Sequence, residues 1–199
     1  MKDDDATPIS SVQQYVGGVI RRRREQLGLS VRTLAEKVDF SPSFISQVEN
    51  GQVSPSIASL ERIGFAVGLT LSRLFEAADT REPAVVRAGE RRSLSSEWSR
   101  ATIESLGPSG PTLWLEPLMI TLSPQGTSGK KLHSKPEEEF AMVFEGQVTL
   151  NLDGKEYCME RGDSVLIPPD TPHRWANENT QPVSILVVTH ASGRIRKSS

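Results

Sequence analysis

The sequence predicts an α+β protein of two domains: a bundle of five short helices over residues 10–78, then an all-β domain over 111–191, with 79–110 as linker and outer strands. Two observations divide the chain this way. Up to Ala78 the apolar residues recur at the three- and four-residue spacing that puts them on one face of a helix. Beyond Ala78, Gly and Pro become frequent and apolar residues gather in short runs bounded by turn residues, the pattern of strands. Charge follows the same division. Arg21, Arg22, Arg23, Arg24, Arg32, Lys37, Arg62 and Arg73 outnumber Glu25, Glu36, Asp39, Glu49, Glu61 and Glu76 in the first part; acids prevail after Asp79, with the run Glu137-Glu138-Glu139 prominent. The overall formal charge of -2 therefore conceals a slightly basic half suited to phosphates and an acidic half that is not.

Each helix has its own signals. Val12, Tyr15, Val16, Val19, Ile20 and Leu27 form the first stripe, which stops at Gly28. Ser30 then offers a side-chain oxygen to the free amides of a second helix, whose inward residues are Val31, Leu34, Ala35 and Val38. Asp39-Phe40 makes the turn. Ser41-Pro42 opens the third helix, a cap followed by a residue whose missing N–H costs nothing in the first turn; Ile45 and Val48 face inward until Asn50-Gly51 ends it. Ile57, Leu60, Ile63 and Val67 mark a fourth, and Leu71, Leu74, Phe75 and Ala78, behind Thr70, a fifth.

The connection between domains is expected at Asp79 to Pro83, with Ala84-Val85-Val86 and Ala101-Thr102-Ile103 as outer strands. Further strands are expected at Leu113 to Leu122, Phe140 to Phe144, Val148 to Leu152, Lys155 to Met159, Ser164 to Pro168, and Val183 to Thr189. Asp153-Gly154 is a two-residue hairpin signal, because both turn positions need positive φ. So many short strands favour a sandwich or a closed barrel.

The 36% hydrophobic and 24% charged content is that of a globular protein, and no stretch approaches the roughly 18 to 20 apolar residues of a membrane span. The acidic start Met1-Lys2-Asp3-Asp4-Asp5 is unlike a signal peptide, so the expected location is the cytoplasm. A lone cysteine, Cys158, can form neither an internal disulfide nor a thiolate metal site; its place in a strand predicts burial.

Two short helices joined by a tight turn, the second capped so that its first turn points outward, is the geometry that enters a major groove. The segments Ile20 to Leu29, Val31 to Val38, Ser41 to Gly51 and Pro55-Ser56 resemble the lambda-repressor-like helix-turn-helix of the XRE family over about 65 residues. That resemblance implies a recognition helix on which Pro42, Ser43 and Gln47 read base edges, with Ser46 adding to them. Ser41, Phe44 and Asn50 approach phosphates, joined by Arg32. Gln47 carries most weight, since a glutamine can pair bidentately with adenine for roughly 1 to 3 kcal/mol of discrimination. Val31 departs from the family, many of whose members carry there a glutamine that bonds a phosphate. Arg24 is expected to pair with Glu49 as its family equivalents do; the rest of the arginine run is either a phosphate grip or a solvated face. The family also implies a two-fold homodimer on an inverted-repeat operator in double-stranded DNA, with half-sites about 34 Å apart.

In the second half, Gly126, His133, Lys135, Glu139 and Gly146, then Gly162, Pro168, His173 and Asn177, resemble the two motifs of the cupin, a double-stranded β-helix barrel. Cupins draw metal ligands from such positions, which makes His133, Glu139 and His173 candidates for a divalent transition metal such as Fe, Mn, Ni or Zn. The departure is Lys135, which stands at a ligand histidine and, as a protonated amine, cannot ligate. Two other readings stay open: the histidines hydrogen-bond in a metal-free pocket, or Lys135 pairs with an acid of Glu137 to Glu139 at the barrel mouth. Asp170, Arg174 and Trp175 suggest a rim with polar anchors and one aromatic wall, although Trp175 fits the core equally well.

Regulators resembling this arrangement bind a small effector in the barrel. His133, Lys135, Glu139, His173 and Trp175 are its candidate contacts here, and the acidic run leans toward an amine or amino-acid-like metabolite. The expectation is a DNA-binding transcriptional regulator without catalytic activity. The minor alternative is a metal-dependent cupin enzyme with a DNA-binding appendage; a barrel that only dimerises is a third.

Overall fold

The computed structural model describes residues 9–74, 85–107 and 115–190. The amino-terminal part is helical: α1 (Ile9–Gln26), α2 (Val31–Lys37), α3 (Pro42–Glu49), α4 (Ile57–Ala66) and the single turn α5 (Leu71–Leu74). The fifth helix of the sequence reading is thus only one turn among the described residues. Phe75, Ala78 and the connection expected at Asp79 to Pro83 lie outside them.

Serine begins three of these helices. Ser30 Oγ accepts from the Thr33 amide, Ser41 Oγ from Phe44 and Ser56 Oγ from Ser59, each filling one donor that a helix start leaves unpaired. The stripes then converge. Ile20, Leu34, Ile45, Ile57, Leu60, Ile63 and Leu74 are all essentially removed from solvent, at about 1.5–3 kcal/mol for each large apolar side chain buried. Gly17 lets α1 cross the end of α3 closely: a Cβ there would meet the Val48 carbonyl oxygen at 2.4 Å.

The carboxy-terminal part is antiparallel β. Its strands are β1 (Ser93–Ser96), β2 (Ala101–Ser105), β3 (Leu115–Leu122), β4 (Glu139–Glu145), β5 (Gln147–Leu152), β6 (Lys155–Glu160), β7 (Ser164–Ile167), β8 (His173–Ala176) and β9 (Val183–His190). They pair in a six-stranded sheet, β1-β2-β3-β9-β4-β7, facing a three-stranded sheet, β6-β5-β8. Inward residues of both sheets, among them Leu122, Val143, Leu150, Ile167, Trp175 and Ile185, fill the space between. Asp153 (φ 50°) and Gly154 (φ 82°) make the expected tight turn between β5 and β6.

Three expectations change. The first outer strand is Ser93–Ser96, pairing with β2, whereas Val85 and Val86 are in no strand and Ala84 lies outside the described residues. β8 adds a strand that the apolar runs did not show. Cys158 is exposed, because β6 is an edge strand on which only Met159 turns inward.

The two parts are docked through α4 and the loops on either side of it. The Ala58 amide donates to the Ser128 carbonyl (3.1 Å), Ser54 Oγ to the Ser95 carbonyl (2.5 Å), and Thr70 Oγ1 to Glu116 Oε1 (2.5 Å). A Cβ at Gly129 would come within 2.8 Å of Ala58 Cβ, so the surfaces meet without a gap.

Candidate functional site

Two places carry chemistry: the outer face of α3 and the mouth of the barrel. On α3 the Ser41 cap and Pro42 direct the first turn outward. Ser41, Pro42, Ser43, Gln47 and Asn50 are exposed there, and Ser46 and Phe44 are half-buried. Phe44 packs on Phe40 with ring centroids 4.9 Å apart, and the Arg62 guanidinium lies 4.2 Å above the Phe40 ring. Arg32 is exposed at the start of α2, its Nε 3.1 Å from Glu36 Oε1. Such an exposed pair is worth about 0.3–0.5 kcal/mol, little hindrance to an exchange for phosphate.

Beneath that face α3 is held from behind. Arg24 Nε donates to Glu49 Oε1 (2.6 Å), Nη2 to Oε2 (2.9 Å) and Nη1 to the Leu29 carbonyl (2.8 Å), with 9% and 4% of the two side chains exposed. The hydrogen bonds to Glu49 raise the Arg24 pKa in spite of burial. The arginine run thus divides its labour. Arg24 fixes α3 to α1, Arg23 Nε caps α4 through the Val67 carbonyl (3.1 Å), and Arg21 pairs at the surface with Glu25.

At the barrel mouth His133 and His173 are antiparallel bridge partners: each backbone amide donates to the other's carbonyl, at 3.0 and 2.8 Å, and the rings lie 4.6 Å apart. His173 Nδ1 is 3.0 Å from the Thr171 carbonyl, which assigns the proton to Nδ1; burial pushes this imidazole's pKa down. Its Nε2 is 3.8 Å from Glu139 Oε1, too far for a hydrogen bond. Lys135 Nζ donates to Glu139 Oε2, the pairing with the acidic run that the sequence left open.

The remaining member comes from the other domain. Glu61, on α4, places Oε1 2.6 Å from Lys135 Nζ and Oε2 3.2 Å from His133 Nε2. Burial alone would raise the Glu61 pKa, but the Lys135 charge and the adjoining His133 hold it at about 2. Burial would lower Lys135; Glu139 and Glu61 together raise it instead. Both stay charged, and Lys135 is shared between the carboxylates of two domains. Nothing in the sequence marked Glu61, which reads there as one more polar residue on an amphipathic helix.

These side chains do not suit a metal ion. The ammonium of Lys135 already supplies the positive charge against Glu139 and would repel a second cation beside it. Among the described residues no group of three or more His, Cys, Asp and Glu side chains has the geometry to hold one. Trp175 is 1% exposed and belongs to the core rather than to a rim. Its Nε1, His133 Nδ1 and Glu61 Oε2 are buried without a hydrogen-bond partner among the described residues, the 3.2 Å approach of Oε2 to His133 Nε2 being a close contact without hydrogen-bond geometry. Beside the mouth a cleft of about 1390 Å³ runs between the domains, walled by Phe65, Trp98, Leu132, His133, Lys135 and Asp170 among others. No helix among the described residues is long and apolar enough to cross a membrane.

Comparison with known proteins finds one family match in each half of the chain. Residues 20–74 match the helix-turn-helix family and 118–189 the cupin domain family. The chain is 28% identical over 154 residues to the HTH-type transcriptional regulator PuuR of Escherichia coli K12, covering 77% of this chain and 83% of that protein. It is 24% identical over 182 residues to the HTH-type transcriptional regulator SutR of the same organism, covering 92% and 98%. Over 53 residues it is 38% identical to the control protein C.MunI of a Mycoplasma species, 27% of this chain and 72% of that one. The crystal structure of an HTH_3 family transcriptional regulator from Vibrio cholerae superposes with a TM-score of 0.69 at 22% identity, over 91% of this chain and 97% of that one, and shares the fold. The chain carries an XRE-type helix-turn-helix domain followed by a cupin domain, the arrangement of a DNA-binding transcriptional regulator.

Proposed function

We propose that this protein is an effector-responsive regulator in which α3 reads the operator and the pocket at the barrel mouth governs how the reading head is held. The observation that carries the first half is the exposed row Pro42, Ser43 and Gln47 on a helix braced from behind by the buried Arg24–Glu49 pair. Gln47 reads adenine through its amide, Pro42 and Ser43 contact neighbouring base edges, and Ser46 adds to them. Ser41, Phe44, Asn50 and Arg32 set the register on phosphates. Two copies on an inverted repeat would place their α3 helices about 34 Å apart.

The second half rests on where the pocket lies. It is built from both domains, so whatever binds there acts on their relative placement. An effector shifts DNA affinity by as much as its preference for one placement over the other, and coupling of about 1–3 kcal/mol is enough for a switch. The effector is a small metabolite; of the two classes the acidic run suggests, the amino-acid-like one agrees with a buried Lys135 that a plain amine would have to strip of an acid. We read the pocket as a binding site rather than a catalytic one, because Lys135 stands where the resemblance to cupins expects a ligand histidine and is held there by Glu139.

Selection of genomic fragments by the purified protein tests this, followed by titration of the selected DNA with extracts of small metabolites at fixed salt. The expected result is a small set of recurrent fragments whose affinity an extract shifts at least about fivefold, the lower end of such coupling. Fragments recovered without sequence preference would refute the reader; affinity indifferent to every extract would refute the effector.

A further inference from the structure

We infer that the ligand class of the pocket is a carboxylate, and that Glu61 is its built-in stand-in: a carboxylate on the DNA-reading domain occupies the anion site of the barrel. This rests on the effector-binding reading above and names the chemistry of that site. The Glu61 carboxylate meets the Lys135 ammonium through Oε1 at 2.6 Å and the His133 imidazole through Oε2 at 3.2 Å, with 11% of its side chain exposed. Both partners, and Glu139 with them, belong to the barrel; Glu61 alone comes from α4. Separating the domains therefore takes away one carboxylate and leaves the Lys135 ammonium, still paired with Glu139, beside the His133 imidazole.

What remains then is a buried ammonium with one of its two acids gone and an imidazole without its neighbour, a vacancy of the charge and shape of a carboxylate. A free carboxylate entering it restores both contacts and keeps the charge of the cluster unchanged. An amine has no such exchange open to it. It would have to pull Glu61 or Glu139 from Lys135 and leave that ammonium buried without its acid, which a low-dielectric site opposes strongly. The cleft beside the cluster can take the rest of the molecule against Phe65, Trp98 and Leu132, whose rings and aliphatic carbons are partly open to solvent.

Release of Glu61 also loosens α4, the helix that follows α3 and docks on the barrel through Ala58 and Ser128. Ligand and reading head are then coupled by competition for one lysine.

The test compares propionate with propylamine, molecules of one size and opposite charge, by ligand-observed NMR on the full chain, wild type and Glu61→Ala. Removal of the tethered competitor should tighten propionate by at least about tenfold, since the binding-competent state no longer has to be opened first. Glu61→Gln, which keeps the size of the side chain and the helix, should shift in the same direction, and Lys135→Gln in the Glu61→Ala background should abolish the gain. Propionate bound equally by wild type and both Glu61 variants, or propylamine bound in its place, would overturn the inference; in the latter case the pocket is still an effector site. If propionate follows the expected pattern but leaves the affinity for selected genomic fragments unchanged, the carboxylate site stands and the regulatory reading of the pocket fails.

Discussion

Arg24→Ala leaves the Glu49 carboxylate, 4% exposed, with no partner for either oxygen among the described residues. Four hydrogen bonds go with the guanidinium: two to Glu49, at 2.6 and 2.9 Å, one to the Leu29 carbonyl at 2.8 Å and a long one to Glu25 Oε1 at 3.5 Å. Breaking a buried pair from one side costs about 3–5 kcal/mol, because the remaining charge must be dehydrated or protonated without compensation. Replacing both members, Arg24→Met with Glu49→Leu, removes the buried charge as well and should recover most of that loss. The variants are compared by urea unfolding followed at 222 nm, where the helices of residues 9–74 dominate. A single substitution costing less than about 1 kcal/mol, the range of exposed pairs, would refute the claim that α3 is anchored by a dehydrated ion pair. A double variant as unstable as the single one would refute the claim that the lost partner is the cause.

Further outcomes follow from other contacts. Gly17→Ala forces a methyl to within 2.4 Å of the Val48 carbonyl, so α1 and α3 must separate; a loss of about 1–3 kcal/mol is expected in the same urea assay. Ser41→Ala leaves the Phe44 amide without its cap and should cost about 1 kcal/mol, with operator binding weakened as the first turn of α3 frays. Stability should also depend on pH through the barrel mouth. Glu61 is held at about 2 against an ordinary 4.5, so its contribution is present above pH 4.5 and is lost as pH falls toward 2. Lys135 is raised from 10.5, so its contribution is complete below that pH and is lost only above it. His173, held below its ordinary 6.5 by burial, adds a loss of stability as pH falls below about 6.5, so the thermal unfolding midpoint should be flat only between about pH 7 and 10; in Glu61→Ala the part of the acid loss due to Glu61 should vanish.

Local signals in the sequence were legible where short-range physics decides the structure. Ser30 and Ser41 cap the helices they precede, Asp153-Gly154 adopts the positive φ its hairpin needs, and the stripe Ile57, Leu60, Ile63 and Val67 is buried throughout. Features set by distant partners were not. β8 is His-Arg-Trp-Ala, too polar to read as a strand, and exists because β5 pairs with it. β1 is Ser-Leu-Ser-Ser, a strand by virtue of its register on β2. Cys158 looked inward by its strand context, yet β6 lies at a sheet edge with one face open. At the pocket, Lys135 was visible as a misfit for a metal site, and its pairing with the acidic run was among the open readings. Glu61 was not visible, since no periodicity connects a residue on α4 to a histidine and a lysine of another domain.

Footprinting of a selected genomic fragment at fixed salt, with wild type and Gln47→Ala in parallel, tests the assignment of α3 as the reader. Wild type should protect two half-sites one helical turn apart. Gln47→Ala should lose about 1–3 kcal/mol of preference for them while keeping its salt-sensitive affinity for random DNA. Protection by Gln47→Ala indistinguishable from wild type would show that base reading lies elsewhere than on the exposed face of α3.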